Sequence, residues 1–236
     1  MGLMVEVKSL IIGAVLILKK YTCIDIAIYA ESEEDDLKNG IFILPILGFA
    51  IGFIACLIGE FKIFYDEFFI SVFVLLYYVI ITKTTTLKDT YRTLNYIIKP
   101  KNNSDQISGI IGVVVVLIFY YTLFRVVPAT ALIIMPVAGF SGLIILSILF
   151  DRNKDGTSII KYCNKYHIIF SFGISFIIAI LFNYKLVVPL ALTYMVSSFA
   201  VTLIDAKIET LPSSIEGFII EIVQIIFLII TYLFKI

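Results

Sequence analysis

Apolar residues in this chain fall into long blocks that contain no acidic or basic residue: Ile41–Gly59, Phe68–Thr82, Ile107–Phe124, Val126–Phe150, His167–Phe182, Leu186–Ile204 and Phe218–Phe234. The blocks are continuous rather than alternating, which predicts helices and not half-buried strands. A hydrocarbon core about 30 Å thick takes roughly 20 helical residues to cross. Lipid offers the backbone no hydrogen-bond partner, so only helices or closed barrels can cross it, and a barrel would show alternating segments of about 10 residues. The pattern therefore predicts an all-α, polytopic helical membrane bundle of seven spans plus a short N-terminal helix, organised as a single integral membrane domain over residues 1–236.

Three blocks carry a further expectation. The blocks at 68–82 and 167–182 are short and should extend into flanking polar residues. Val126–Phe150 is long and contains Pro128 and Pro136, so it should tilt, kink or divide. At the N-terminus, the run Ser9–Leu18 is too short to span alone. Glu6 and Lys8 precede it and no cleavage-site pattern follows it, so an uncleaved helix is expected rather than a signal peptide.

Composition agrees with the pattern: 61% of the 236 residues are hydrophobic, and the lipid bilayer is the first partner implied. Net charge is zero and points to no partner, but its distribution is informative. Alternating the loops across seven spans puts 13 basic residues on one side: Lys19, Lys20, Lys38, Lys83, Lys88, Arg92, Lys99, Lys101, Arg152, Lys154, Lys161, Lys165 and Lys207. Four lie on the other side: Lys62, Arg125, Lys185 and Lys235. The positive-inside rule makes the first side cytoplasmic and places the protein in the cell (cytoplasmic) membrane, with its larger polar loops facing the cytoplasm.

Few motifs carry chemistry on their own. Cys23, Cys56 and Cys163 form no paired motif, and the lone His167 at a block boundary reads as an interfacial residue. Asp151–Gly156 resembles the start of a calcium loop, but Tyr162 stands where that loop needs a bidentate Glu, so a polar turn is expected. The acidic run at 31–36 reads as a solvated segment. No nucleic-acid surface, phosphate loop or Ser/His/Asp set is present, and a homo-oligomer stays open. Pro45, Gly48 and Gly52 are more distinctive. Gly48 and Gly52 make a small-xxx-small pair that lets helix backbones approach closely, and Pro45 falls near a helix start, where its missing N–H costs nothing.

The order of these features resembles the cobalamin synthase family, the membrane adenosylcobinamide-GDP ribazoletransferases. The resemblance covers most of the chain. An opening apolar segment, Leu10–Leu18, is followed by a polar stretch and then by the Pro-x-x-Gly-x-x-x-Gly pattern of Pro45, Gly48 and Gly52. The family's signature His-Leu-Asp-Gly-Leu-Ala-Asp-x-x-Asp-Gly aligns with Lys83–Thr93, where Leu87 and Asp89 match. Lys83 replaces its His, Thr85 its first Asp and Arg92 its third. Near the C-terminus, Thr-Gly-Asp-x-x-Gly-Ala-x-x-Glu-x-x-Glu aligns with Pro212–Gln224. Gly217 and Glu221 match there, while Ser214 replaces the Asp and Gln224 the second Glu.

The resemblance implies a reaction that joins adenosylcobinamide-GDP to α-ribazole and releases GMP. This is phosphoryl transfer in which carboxylates hold a magnesium ion that neutralises charge on phosphate oxygens. It names Asp89 and Glu221 as catalytic and metal-binding candidates, and Lys83, Thr85, Arg92, Ser214, Gly217 and Gln224 as a ligand cavity for a corrinoid or nucleotide. Two readings follow. In the favoured one the chain is a catalytically degenerate member with no cofactor. In the other, Asp89 and Glu221 rebuild a weaker magnesium site with Asp105 or Glu216. A third possibility, from a different class, is a non-enzymatic membrane protein that binds a corrinoid, a lipid or a partner synthase.

Overall fold

A computed structural model describes residues 2–27, 34–60, 66–98, 107–150 and 158–236. Its helices are α1 (Gly2–Tyr21), α2 (Glu34–Gly40), α3 (Leu44–Glu60), α4 (Glu67–Ile81), α5 (Thr85–Ile98), α6 (Ile107–Val126), α7 (Ala129–Leu146), α8 (Lys165–Asn183), α9 (Val187–Asp205) and α10 (Ser214–Leu233). No strand occurs among the described residues. Local chemistry sets several boundaries. Asp66 caps α4, its carboxylate accepting the Phe68 N–H at 2.9 Å. Asn164 caps α8 in a closed capping box, in which the His167 Nδ1 accepts the Asn164 N–H at 3.2 Å. His167 is therefore a helix-starting residue.

Among the described residues, five helical segments are long and apolar enough to cross a membrane, or six if the bent pair α4 and α5 is one span. Seven were expected. The difference has two sources. The blocks at 167–182 and 186–204 lie in one unbroken helical run, Lys165–Asp205. The block at 68–82 forms a 15-residue helix that reaches spanning length only together with α5. The long run doubles back on itself. Phe172 and Tyr194 are 22 residues apart, about 33 Å along a straight helix, yet their ring centroids lie 6.5 Å apart. The reversal falls at the single turn Tyr184–Leu186. The N-terminal helix is twice as long as its apolar run, 20 residues against ten, and is not among the five.

At the centre stands α7, almost wholly buried, followed by α10, whereas α6 is largely unburied. The block Val126–Phe150 forms one long helix from Ala129, with Pro136 inside it. On the packing partner α3, Gly48 and Gly52 lie directly on that helix. A Cβ at Gly48 would stand 2.7 Å from the Pro136 carbonyl oxygen, and one at Gly52 2.7 Å from that of Leu132. Both obstacles are backbone, so only glycine lets the two helices come this close. Pro45 is buried at the start of α3.

The turn between α4 and α5 bends the chain by 81°. The Lys83 N–H bonds to the Ile80 carbonyl at 3.0 Å and the Thr84 N–H to the Val79 carbonyl at 3.1 Å, which is the Schellman pattern that ends a helix. The pattern normally places glycine at its left-handed position. Here Lys83 and Thr84 occupy that region with φ of 51° and 54°, a conformation that costs an L-residue about 1–2 kcal/mol.

Candidate functional site

The polar residues of α10 follow a helical repeat. Ser214, Gly217, Glu221 and Gln224 recur at steps of three and four and share one face. Opposite them α5 presents Thr86, Asp89 and Thr93, all buried. The seam is tight. The Thr93 hydroxyl donates to that of Ser214 at 3.1 Å. A Cβ at Gly217 would stand 2.6 Å from the Asp89 Cβ and 2.8 Å from the Thr86 Cα. The absence of a side chain at 217 lets α5 lie against α10, with the Gly217 N–H donating to the Asp89 carboxylate.

One helical turn deeper, Glu221 is fully buried. It accepts a hydrogen bond from Tyr120 of α6, and Tyr78 of α4 lies 3.4 Å away. The Oε1 of Gln224 lies 2.6 Å from the Tyr78 hydroxyl and 2.7 Å from that of Tyr120, while its Nε2 has no partner. Each phenol has one proton and cannot donate to both acceptors. Proton count is met when the Gln224 amide donates to the two phenol oxygens and the phenols donate to Glu221. The space for this side chain comes from α7, where a Cβ at Gly139 would stand 2.6 Å from the Gln224 Cγ.

Glu216 forms a second, separate cluster. It has no exposed surface. Its carboxylate pairs with Lys20 at 2.6 Å, accepts the Tyr21 hydroxyl, and accepts the Ile159 N–H at 2.6 Å. One side chain on α10 thus ties the end of α1 to the turn Ile159–Tyr162. Cys23 N–H bonds to the Ile81 carbonyl at 2.8 Å, so the ends of α1 and α4 and the start of α10 share one end of the bundle.

The remaining site candidates are dispersed. Thr85 is half-buried at the start of α5, while Lys83 and Arg92 are exposed. Arg92 acts on Asp89, together with Lys20 and Glu216, whereas Lys83 acts on Asp25. Pro45, Gly48 and Gly52 belong to the α3–α7 contact. Asp105, the loop Asp151–Gly156 and part of the acidic run at 31–36 lie outside the described residues. The seam brings Asp89, Ser214, Gly217, Glu221 and Gln224 together. Sequence reasoning placed Glu216 only as an alternative magnesium ligand and singled out none of Lys20, Tyr21, Tyr78 and Tyr120 for the site. The available signal was an acid inside an otherwise apolar helix, where a charge needs a partner.

A magnesium ion needs several hard oxygen donors converging in near-octahedral geometry. Glu216 is instead occupied by Lys20, Tyr21 and the Ile159 N–H, and Glu221 by the two tyrosines. Among the described residues no group of three or more His, Cys, Asp or Glu could hold a metal ion. This arrangement does not fit the ion that the resemblance implies.

No protein-family model matches the chain, and no solved structure matches it. Among curated proteins it is similar to the adenosylcobinamide-GDP ribazoletransferase of Acetivibrio thermocellus, with 26% identity over 234 residues, covering 91% of this chain and 94% of that protein. The likeness and the apolar helices together make this a membrane protein similar to a cobalamin synthase.

Proposed function

We propose that the protein is a cobalamin-synthase-like membrane protein that binds a corrinoid or nucleotide-bearing ligand and does not transfer ribazole. The observation carrying this reading is the α5–α10 seam. It places the two stretches that resemble the family's signatures against each other, with Gly217 beneath Asp89. Of the acids on α10, Glu221 at the seam and Glu216 beside it are both occupied by protein donors. The ligand's place is the polar end of the bundle, bounded by Thr85 and Arg92 and backed by Asp89.

In the same proposal the chain crosses the membrane seven times, with α8 and α9 as separate passes joined at Tyr184–Leu186. The end that holds Lys20, Lys83 and Arg92 faces the cytoplasm, as the positive-inside rule requires.

The test uses the full chain purified in detergent, with adenosylcobinamide-GDP, α-ribazole and Mg²⁺. Corrinoid binding, followed by visible absorption, should occur without cobalamin formation, followed by chromatography. Cobalamin formation would overturn the non-catalytic assignment. Neither binding nor turnover would remove the proposal altogether.

A further inference from the structure

Helices α4, α5 and α6 enclose a groove of about 510 Å³ away from the α10 seam. Its apolar wall includes Leu87 of α5 with Val114 and Leu117 of α6, and α5 adds Lys88 and Tyr91. Three observations bear on what fills it. First, only five of the 20 residues of α6 are buried, and Val114 is 47% exposed, so the groove opens on the outer face of the bundle. Second, α5 turns 81° from α4 and runs across the end of the bundle, with Lys88 and Arg92 one helical turn apart and both exposed. Third, the charge there is one-sided. Asp89, the one acid of α5, is buried on the other side against Gly217, and no acid lines the groove. Among the described residues Lys88 is in none of the ion pairs.

We propose that this groove holds one anionic phospholipid, with an acyl chain along Leu87, Val114 and Leu117 and the phosphate on Lys88, flanked by Arg92. The charge pattern selects this occupant. Cations on a helix that lies along the membrane surface attract anionic headgroups. A zwitterionic headgroup offers them no net charge, and a free phosphate has nothing to lay on the apolar wall. A lipid held here would bridge α4, α5 and α6 on the lipid side, while α10 holds α5 from within.

The experiment uses the full chain reconstituted in equal parts phosphatidylglycerol and phosphatidylcholine, extracted in mild detergent, with co-purifying lipid counted by mass spectrometry. The wild type should retain phosphatidylglycerol over phosphatidylcholine by about tenfold, as 1.4 kcal/mol of selective attraction gives. Lys88→Glu should lower that ratio at least fivefold, and Lys88→Met should lower it even if the acidic variant does not fold. Val114→Phe, at an exposed position, should reduce retention of both lipids by narrowing the groove. Equal retention of the two lipids by the wild type, or an unchanged ratio in Lys88→Met, would overturn the proposal.

Discussion

Removing the Glu216 carboxylate tests how α10 is anchored. Its partner Lys20 lies at 2.6 Å with 30% of its side chain exposed, whereas Glu216 has none exposed. At an effective dielectric of about 20, that separation corresponds to about 6 kcal/mol of attraction. Desolvating a fully buried carboxylate opposes this by several kcal/mol, so the net worth of the intact pair is small. Breaking it is different, because a buried group is then left without its counter-charge, at about 3–5 kcal/mol. Lys20 can turn to solvent, so the lower end applies to Glu216→Ala, about 3 kcal/mol. Lys20→Met leaves the fully buried carboxylate without its counter-charge, with Tyr21 and the Ile159 N–H still donating, so it should cost at least as much, about 3–4 kcal/mol. The double variant should cost at least about 1 kcal/mol less than the sum of the two, since the residues are in contact. For a chain of this length, 3 kcal/mol corresponds to a fall in Tm of about 6–12 °C, measurable by fluorescence in detergent. An unchanged Tm in Glu216→Ala, or strict additivity with Lys20→Met, would refute the reasoning.

Gly52→Ala places a Cβ against the Leu132 carbonyl oxygen at 2.7 Å and should lower stability by about 1–3 kcal/mol through overpacking, with Gly52→Leu worse, both read as a fall in Tm and folded yield. Thr84→Gly relieves a β-branched residue at φ 54° and should raise Tm, by about 1 kcal/mol in stability after the flexibility of glycine is subtracted; a fall in Tm would mean the threonine side chain supports the turn. Millimolar Mg²⁺ should leave the Tm of the native chain unchanged, whereas Thr85→Asp, Arg92→Asp, Ser214→Asp and Gln224→Glu together should create Mg²⁺-dependent stabilisation if the cavity geometry persists.

The helical membrane class was legible because lipid imposes one requirement on every residue of a span, and uncharged blocks record it directly. The number of spans was harder to read, because a block records apolarity and not where a helix stops. The block at 68–82 gave a helix of only 15 residues, and the bend after it rests on Lys83 and Thr84, neither of which is a usual left-handed residue. The seam could be traced in part, since positions 214, 217, 221 and 224 carry a helical period. What sequence could not supply was the partner list. Glu216 reaches Lys20 and Tyr21 across 196 and 195 positions, and Glu221 reaches Tyr78 and Tyr120 across 143 and 101. Nothing in the local pattern near either acid names residues so remote.

These partners divide the labour among the acids. Glu216 and Glu221 have no exposed surface, and each is met by donors from other helices, so these hydrogen bonds tie α1, α4 and α6 to α10. A carboxylate already in such contacts would have to abandon them to take a ligand, leaving Lys20 or two buried phenols unpaired, which opposes binding. Asp89 differs. It keeps 9% of its surface exposed, accepts one backbone N–H, and stands beside Arg92, which is itself exposed. Of the three, it is the acid with the fewest donors from other helices, the single N–H of Gly217. In the proposed function, a ligand entering from the polar end of the bundle would therefore meet Asp89 and Arg92 first, and one that carries both a phosphate and a hydrogen-bond donor would satisfy the two together.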